Sequence, residues 1–369
     1  MNIVCTFILY NFLILGYNFL VRNGIKSKGK KQSALYLIMA CLLCGIVAAF
    51  RGDCGSDTNM YMRLYYGGFD AIHRWESFES GYILLMNLFK TFKLPFEVFL
   101  FFIGSGTTFL ITKFIKDNAE EVDLSVICLA YTTDLYFFGF NGIRQMIAIC
   151  ICVYAINLIF RNKLKTSVLL IIAAMFFHRS AGVVLLIIFL KQVLKHRKLY
   201  KYLTVCGIIA ILFFVNNRNI LGNLVYYITK SDYYQSYFTR DAYVDSNLLK
   251  YFIKQAPILF IAYFGLMHRT FYKEKARLYY SLALFGIVFS SIGAITQTQI
   301  ARLGMYFSTF KIYVYGYASK NRLYITHNQY LSGTTIKKVV ITYLYALFFY
   351  NYFIKGFSEI VPYGLFKGL

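Results

Sequence analysis

Charged and polar residues stand at the ends of long apolar stretches in three parts of this sequence, where a membrane-spanning helix would hold them at or below the bilayer surface. They are Arg51, Asp53 and Asp57 after the first stretch, Arg144 and Gln145 at the start of the second, and His178 and Arg179 inside the third. A charge at the centre of a bilayer costs about 2.5–3.5 kcal/mol on insertion scales, so such residues usually line a site or a pathway. Their positions predict an active site inside a bundle of helices.

Asp53 and Asp57 are the candidate general bases. Gly52 and Gly55 permit a tight turn directly after the apolar stretch. If a helix begins at this point, the spacing of four residues puts both carboxylates on one helix face, where Arg51 would favour their ionised form. Carboxylates of this kind can take a proton from a hydroxyl group. A hydrophilic loop with a local Arg–Asp pair explains the same residues equally well.

Arg144 begins an apolar stretch and is expected to point into the bundle. The residues on its helix face are small: Ala148, Cys152 and Ala155. Small residues allow helices to approach closely, which favours a buried arginine over one that extends to the membrane surface. Gln145 beside it and Asp134 on the preceding stretch add two polar groups to the same hairpin, and this favours a functional site.

His178 and Arg179 occupy a turn between two short apolar stretches, which would draw the turn below the membrane surface. A histidine can act as a base or as a hydrogen-bond donor near neutral pH, although a single histidine in apolar surroundings is more often an ordinary core residue. Ser180 follows, but no nucleophile-elbow pattern surrounds it, so it is not predicted to be a nucleophile. Arg302, at the start of a later apolar stretch, is at least as well explained as an ordinary charge at the end of a span.

Residues 226–251 are rich in tyrosine, with Asp232, Arg240 and Asp241 among them. Aromatic residues near a membrane edge usually form an interfacial belt. In a polar loop they also suit a sugar-binding surface, because their rings offer flat apolar faces and their hydroxyl groups form hydrogen bonds. Both interpretations stay open.

The composition predicts an α-helical integral membrane protein. Hydrophobic residues make up 59% of the 369 residues, with only 3 prolines, and the mean hydropathy is +0.55. Each helical span needs about 20 apolar residues, and long apolar runs without two-residue alternation exclude a β-barrel. Residues 3–21 have no basic residue before them and no small-residue cleavage site after them, which predicts a retained span rather than a signal peptide.

The net charge of +23 reflects membrane topology rather than nucleic-acid binding, since the basic residues fall in short segments between apolar stretches. Of the 8 cysteines, Cys41 and Cys44 form a CxxC pair without histidine or further cysteine nearby, so neither a metal site nor a disulfide framework is predicted. The glycine-rich nucleotide motifs GxxxxGK and GxGxxG do not occur. The sequence therefore predicts no cofactor.

Five clusters of basic residues set the orientation, because such clusters favour the cytoplasmic side. If all five face the cytoplasm, the spans between them come in pairs and both ends of the chain lie outside. About 12 spans meet this condition: 3–21, 34–50, 96–115, 124–140, 143–160, 166–178, 180–194, 203–220, 251–267, 278–297, 301–319 and 339–354. The large external segments are then 51–95 and 216–250, with residues 80–94 as a helix in the outer interface. No internal repeat or soluble domain is visible, so residues 1–369 are predicted to form a single polytopic membrane domain, a bundle of helices.

Six short motifs carry a family resemblance. They are Arg51-Gly52-Asp53 with Asp57 and Tyr61, Glu79-Ser80-Gly81-Tyr82, Ile143-Arg144-Gln145, Phe177-His178-Arg179-Ser180, Arg302, and Val361-Pro362-Tyr363. In their order and their placement at span ends, over nearly the whole chain, they resemble the EpsG-like branch of bacterial polysaccharide polymerases, a set of Wzy-type O-antigen and capsule polymerases. Two positions depart from the family pattern: Gly-Ser-Asp stands where Gly-Thr-Asp is frequent, and Ser80 stands where proline is common.

The resemblance implies a membrane glycosyltransferase that transfers a growing glycan from undecaprenyl diphosphate to the non-reducing end of another lipid-linked repeat unit, on the periplasmic face of the bacterial inner membrane. In this hypothesis Asp57 or Asp53 is the base for the acceptor hydroxyl, and His178 positions the acceptor. The residues expected to bind diphosphate or sugar are Arg51, Tyr61, Arg144, Gln145, Arg179 and Arg302. The expected partners are the lipid-linked donor and acceptor, the bilayer and a chain-length regulator protein, without nucleic acid, metal or cofactor.

The main alternative is a flippase for lipid-linked oligosaccharides, which would also be a many-span bundle with buried arginines. A transporter of this kind should show two similar halves and charges along a central path. Here the polar residues gather at outer span ends, and no repeat is visible. An acyltransferase would need a histidine paired with a carboxylate deeper in the bundle, and His178 alone supports that weakly.

Overall fold

The computed structural model describes residues 1–67, 78–188, 248–267, 274–296, 298–326 and 328–365, together with a few single positions between 217 and 235. Almost all of this part is helical, which confirms the predicted all-α class. A small antiparallel hairpin joins strand β1 (Leu323–Tyr324) to β2 (Tyr330–Leu331), with Leu323 opposite Leu331. Three predicted features fall mostly or partly outside the described residues: the span 203–220, the tyrosine-rich segment 226–251 and the end of the span 180–194.

The helices of the described part are, in chain order, α1 Ile3–Lys26, α2 Lys30–Ala49, α3 Thr58–Gly67, α4 Ser80–Thr91, α5 Phe96–Asp117, α6 Leu124–Ala130, α7 Ile143–Ile159, α8 Leu164–Phe177, α9 Leu248–Met267, α10 Glu274–Thr296, α11 Thr298–Ser308, α12 Lys311–Lys320 and α13 Gly333–Phe349. Helix α6 continues as a π turn (Tyr131–Leu135) and a 3₁₀ turn (Tyr136–Phe140), and α13 continues as a π turn (Tyr350–Ile354). Short 3₁₀ segments cover Arg179–Leu185 and Phe357–Glu359.

The chain is a membrane protein by the length and apolar character of its helices. Among the described residues, α1, α2 and α5 are long and apolar enough to cross a bilayer. Further apolar helices are shorter, including Ile143–Ile159 and Leu164–Phe177. The count of about 12 spans therefore stays a prediction.

The predicted spans 124–140 and 301–319 are each interrupted near the middle, in addition to the π turn that ends α13 and the 3₁₀ segment at Arg179–Leu185. The first loosens after Ala130, where the hydroxyl groups of Thr132 and Thr133 bond back to the carbonyls of Cys128 and Leu129 at 3.0 and 2.8 Å. Such bonds compete with the regular ladder. Wide π turns of this kind are frequent at functional sites.

The second interruption divides the predicted span 301–319 between α11 and α12. The hydroxyl group of Thr309 donates to the carbonyl of Met305 at 2.6 Å. The N–H of Phe310 then bonds back only three residues, to Phe307 at 3.1 Å. The chain tightens at this point and leaves the α-helical path.

Two compact units make up the chain: residues 1–182 with 315–369, and residues 183–314. In the first unit α2 packs on α5 and α1, and α7 packs on α5 and α8. One of its hydrophobic clusters is built by α3, α4, α5 and α7 together with Phe78, two residues before α4. The fully or almost fully buried members include Tyr61, Leu64, Tyr65, Phe78, Tyr82, Met86, Phe96, Phe99 and Ile143.

Helix α4 has one face in this cluster and one face outside it. Tyr82, Met86 and Phe89 are buried at helical spacing, whereas Leu84 and Leu88 are exposed. The predicted helix at residues 80–94 is confirmed as a helix. Its exposed leucines suit a bilayer surface, and its interfacial location stays a prediction.

Residues 359–364, which we call the C-terminal strap, run back across the beginning of the chain. The bonds that hold the strap are Tyr10 hydroxyl to Ile360 carbonyl (2.5 Å), Tyr363 N–H to Thr6 hydroxyl (2.9 Å), Tyr363 hydroxyl to Val47 carbonyl (2.8 Å), Gly55 N–H to Glu359 carbonyl (3.1 Å) and Gly364 N–H to Cys54 Sγ (2.8 Å). The strap thus fixes α1, the end of α2 and the loop after α2 to one another.

In the second unit, α10 packs against α9 and α11. The hydroxyl group of Ser290 on α10 donates to the carbonyl of Ala301 on α11 at 3.2 Å. The ring of Tyr279 stacks on that of Phe310 with 4.7 Å between centroids. Arg302 lies on α11, where it is exposed.

Candidate active site

The loop between α2 and α3 brings the first motif to the end of the bundle. Helix α3 begins at Thr58, after a series of turns in which Gly52 and Gly55 have φ angles of 58° and 98°. Such positive angles are strained for residues with a Cβ, so the glycines make this loop possible. Asp53 and Asp57 therefore do not share a helix face. Asp53 is exposed, whereas Asp57 is half-buried directly before α3, and its carbonyl accepts the N–H of Tyr61 at 3.1 Å.

Arg51 is buried, with 1% of its surface exposed. One of its terminal nitrogens donates to the carbonyl of Gly139 at 3.4 Å, and the guanidinium lies 4.6 Å from the ring centroid of Phe140. Its Nε and its other terminal nitrogen have no hydrogen-bond partner among the described residues. Burial lowers the pKa of Arg51 to about 10, so the group is still charged at neutral pH.

Arg51 borders a small cavity of about 20 Å³. The other walls come from α2, α5, α7 and the 3₁₀ turn after the π turn, and the lining residues are mostly apolar: Ala48, Leu100, Ile103, Gly104, Thr107, Tyr136, Gly139, Phe140, Ile143 and Met146. The hydroxyl groups of Thr107 and Tyr136 are engaged with the carbonyls of Ile103 and Cys44. The cavity therefore offers one charged group, with two donors unused, in apolar surroundings.

The strap and the loop hold Arg51 in this position. The N–H of Cys54 donates to the carbonyl of Arg51 at 3.1 Å, and the hydroxyl of Thr58 donates to the carbonyl of Cys54 at 2.6 Å. The Cys54 thiol contacts the carbonyl of Pro362 at 3.2 Å and accepts the N–H of Gly364. Burial raises the pKa of this thiol, which keeps it in the neutral form.

Arg144 faces the interior of the bundle, as its small neighbours on α7 predicted. Its guanidinium forms an ion pair with Glu79 and lies 4.1 Å from the ring centroid of Phe78. The side chain of Tyr61 is a further hydrogen-bond partner. The side chains of Arg144 and Glu79 are 18% and 7% exposed.

The second oxygen of Glu79 reaches the His178-Arg179 turn. It accepts the backbone N–H of Arg179 at 3.2 Å. His178 ends α8, and its Nδ1 is hydrogen-bonded to the hydroxyl group of Ser180. The side chain of Arg179 is exposed. Glu79 thus joins the motif at 143–145 to the motif at 177–180.

Tyr82 completes the connection between the two buried arginines. Its ring is fully buried and lies 5.6 Å from Tyr61 and 5.7 Å from Phe99, centroid to centroid. It interacts electrostatically with both Arg51 and Arg144, and its hydroxyl group has no hydrogen-bond partner among the described residues. A phenol hydroxyl group of this kind can donate to an anionic or sugar oxygen.

The structure therefore brings together Arg51, Tyr61, Arg144, His178 and Arg179 within the first unit. Gln145 is buried beside Arg144. Asp134, expected near Arg144, interacts with Tyr315 and Tyr352, while the carboxylate paired with Arg144 is Glu79. Arg302 belongs to the second unit, and its assignment to the site stays a prediction.

Sequence reasoning missed Glu79, Phe78 and Tyr82 as site residues. The motif Glu79-Ser80-Gly81-Tyr82 stands among those that carry the family resemblance, so a clue was present. Acidic residues are also scarce in this chain, with 16 Asp and Glu against 39 Lys and Arg, and Glu79 is one of them. The identity of its partner, 65 residues away along the chain, depends on tertiary packing.

The donor set suits an anion rather than a metal ion. Within the part of the chain that the structure describes, no group of three or more His, Cys, Asp or Glu is arranged to hold a metal. The Arg51 guanidinium and the Tyr82 hydroxyl group are buried donors without a hydrogen-bond partner among the described residues, and they interact electrostatically. Such donors are complementary to phosphate, carboxylate or sugar oxygens.

Comparison with known proteins identifies one family. The EpsG family model matches residues 34–365, which is most of the chain and includes every residue of the site described above. No curated protein and no solved structure matches the chain.

Proposed function

The chain belongs to the EpsG family, and from this we propose that it is a polysaccharide polymerase of the O-antigen or capsule type. In this proposal it joins oligosaccharide repeat units that are carried on undecaprenyl diphosphate. Membership of this family indicates a membrane protein of the polysaccharide-polymerase type. The lipid carrier and the chemistry below are our proposal.

The observation that carries the proposal is Arg51, a buried cation with two unused donors in an apolar cavity. A buried charge without a counter-charge is costly, which makes binding of an anion favourable. A sugar that leaves a lipid diphosphate develops negative charge on the departing oxygen, and a fixed guanidinium in dry surroundings stabilises such charge well. Its planar fork also matches phosphate geometry.

The proposed reaction is a single displacement at the anomeric carbon of the donor. The acceptor hydroxyl forms the new C–O bond, its proton passes to the carboxylate of Asp57, and the electron pair of the broken bond leaves with undecaprenyl diphosphate. Asp57 is preferred to Asp53 because it is half-buried at the start of α3, whereas Asp53 is exposed. A base of this kind is needed because a sugar hydroxyl is a weak nucleophile.

The remaining roles follow the same proposal. Arg144 and Arg179 bind the diphosphate together with Arg51. Tyr61 and Gln145 contact diphosphate or sugar, and His178 orients the acceptor. A diphosphate- or sugar-binding role for Arg302, which belongs to the other unit, is a separate prediction. The site faces the periplasm from the bacterial inner membrane, and a chain-length regulator is a further partner. Because the donor sugar is already activated by its diphosphate, the proposed reaction needs no nucleotide-binding site.

The test is a deletion strain complemented with variants and analysed by glycan electrophoresis. We expect Arg51→Gln to leave surface glycan with a single repeat unit at normal protein level, while Arg161→Gln, an exposed arginine paired with Asp117, restores long polymer. Full-length polymer with Arg51→Gln would contradict the role of Arg51 on which the proposal depends. Absence of any surface glycan in the deletion strain would instead indicate a flippase, because export precedes polymerisation at the outer face.

A further inference from the structure

Glu79 is the residue at which three separate segments of the site meet. One carboxylate oxygen pairs with the guanidinium of Arg144 on α7. The other accepts the backbone N–H of Arg179 after α8 at 3.2 Å. Glu79 itself precedes α4, so a single side chain connects the starts of α4 and α7 with the end of α8.

The backbone around Glu79 is fixed independently of these two contacts. Its carbonyl accepts the N–H groups of Tyr82 and Ile83 at 3.1 and 3.2 Å, which makes it the first residue of the α4 ladder. Gly81 lies so close to α8 that a Cβ at this position would stand 2.7 Å from the carbonyl oxygen of Phe176. The start of α4 is therefore held directly against the end of α8.

The contacts of Glu79 favour a positioning role over proton transfer. Both oxygens accept hydrogen bonds, one of them from a cation, so both are engaged in holding neighbouring groups in place. The planar guanidinium of Arg144 is in turn held between this carboxylate, the ring of Phe78 and the side chain of Tyr61. Glu79, Phe78 and Tyr61 thus all contribute to the orientation of this guanidinium.

We propose that Glu79 is a positioning residue that orients the Arg144 guanidinium and, through the N–H of Arg179, sets the His178-Arg179 turn beside it. The inference rests on the proposed polymerase function. Its consequence is that Glu79 acts on the rate of sugar transfer through Arg144 and the turn. Glu79 touches neither the sugar nor the diphosphate in this role.

The experiment uses purified full-length protein in liposomes with lipid-linked repeat units as substrate, and it measures polymer formation over a range of substrate concentrations. We expect Glu79→Gln, which keeps the side-chain size and an acceptor for the Arg179 N–H, to lower kcat on the order of 10- to 100-fold, the range expected for a misplaced catalytic group. Arg144→Gln should have a similar effect. The double variant should be no worse than the more impaired single variant, because both changes remove the same interaction.

Asp117→Asn is the matched control. It breaks another carboxylate–arginine pair, Asp117 with Arg161, which lies at the end of α5. We expect its kcat to stay near the wild-type value. A loss as large as that of Glu79→Gln would overturn the inference, because it would show that breaking any ion pair impairs the enzyme.

A reciprocal exchange, Glu79→Arg with Arg144→Glu, separates positioning from stability even where Glu79→Gln folds poorly. It restores the ion pair but moves the guanidinium, so thermal stability should recover while kcat does not. Recovery of both would overturn the inference, as would Glu79→Gln with wild-type kcat. If folded wild-type protein makes no polymer, the proposed function and this inference fail together, whereas polymer from wild-type and Glu79→Gln alike defeats the inference alone.

Discussion

At the scale of single residues, Arg51 and Arg144 are two arginines in opposite electrostatic situations. Arg144 has a carboxylate partner in Glu79, whereas Arg51 has a carbonyl and an aromatic ring and keeps two donors unused. Ion pairing compensates the desolvation of Arg144, and nothing of equal strength among the described residues compensates that of Arg51. A folded protein retains such a cost where function needs it.

This imbalance predicts that Arg51→Met stabilises the protein and inactivates it. Replacing buried charges by apolar groups of similar volume is often neutral or stabilising by about 1–4 kcal/mol. We expect a higher free energy of unfolding in detergent together with loss of polymer in complemented cells. Arg22→Met, at an exposed arginine on α1, serves as the control and should change neither quantity. A clear loss of stability in Arg51→Met would show that Arg51 supports the fold.

The two aspartates of the first loop give a second prediction at this scale. Asp57→Asn should lower turnover by about 10²- to 10⁴-fold, the usual contribution of a general base. Asp53→Asn should leave turnover close to wild type, because this carboxylate is exposed. Polymer formation by both variants in the liposome assay, at matched protein amounts, is the measurement. The opposite ranking would transfer the base role to Asp53.

The sequence predicted the direction of Arg144 but not its partner, and the reason is physical. The small residues Ala148, Cys152 and Ala155 recur at helical spacing, and they predicted that α7 packs closely in the interior. In the structure nearly every residue of α7 is buried, so these residues do not single out one face. The pairing with Glu79 is a long-range contact, and no local pattern determines it. The prediction that Asp53 and Asp57 share a helix face was wrong. The positive φ angles of Gly52 and Gly55 make this segment a series of turns, and α3 begins only after Asp57.

At the scale of secondary-structure elements, the site depends on where helices stop. Hydropathy predicted most of the helices but not the change of ladder after Ala130 or the division at Thr309. Threonine hydroxyl groups bond back to the preceding turn at both interruptions, but the same bond from Thr107 leaves α5 continuous, so it does not by itself break a helix. A threonine within an apolar stretch also hardly alters its hydropathy. The first interruption has a consequence for the site, because Tyr136, Gly139 and Phe140 in the following 3₁₀ turn form a wall of the Arg51 cavity.

The contact between α4 and α8 gives a prediction about elements. A Cβ on Gly81 would meet the Phe176 carbonyl at 2.7 Å, and backbone cannot move aside as a side chain can. Gly81→Ala should therefore lower the free energy of unfolding by about 1–3 kcal/mol and reduce polymer formation by displacing Glu79. Chemical denaturation and the liposome assay measure the two effects.

Gly106→Ala is the control for this prediction. Gly106 lies on the exposed side of α5 with no atom within 4 Å of an added Cβ. Because alanine favours a helix over glycine, this variant should be about 0.5–1 kcal/mol more stable. If both variants behave alike, the docking of α4 on α8 does not depend on the absence of a side chain at Gly81.

At the scale of the whole molecule, the strap brings the two ends of the chain together. The amino group of Met1 donates to the carbonyl of Tyr363 at 3.0 Å, and the N–H of Tyr363 donates to the hydroxyl of Thr6 at 2.9 Å. Groups in direct contact must lie on the same side of a membrane. The loop with Arg51 and Cys54 shares that side, because Gly364 contacts it.

This arrangement makes membrane topology the decisive prediction for the whole molecule. Helix α1 has 24 residues and is therefore roughly 36 Å long, enough to cross the hydrocarbon core once. The connection after α1, with Lys26, Lys28 and Lys30, should then lie opposite the strap and in the cytoplasm. Reporter enzymes fused before Met1 and after Leu365 should both report the periplasm, and a cytoplasmic reporter inserted at Lys28 should be active. Fusions that place the two ends on opposite sides would contradict the contacts of the strap, whereas both ends in the cytoplasm would keep the strap and reverse the side on which Arg51 meets its substrate.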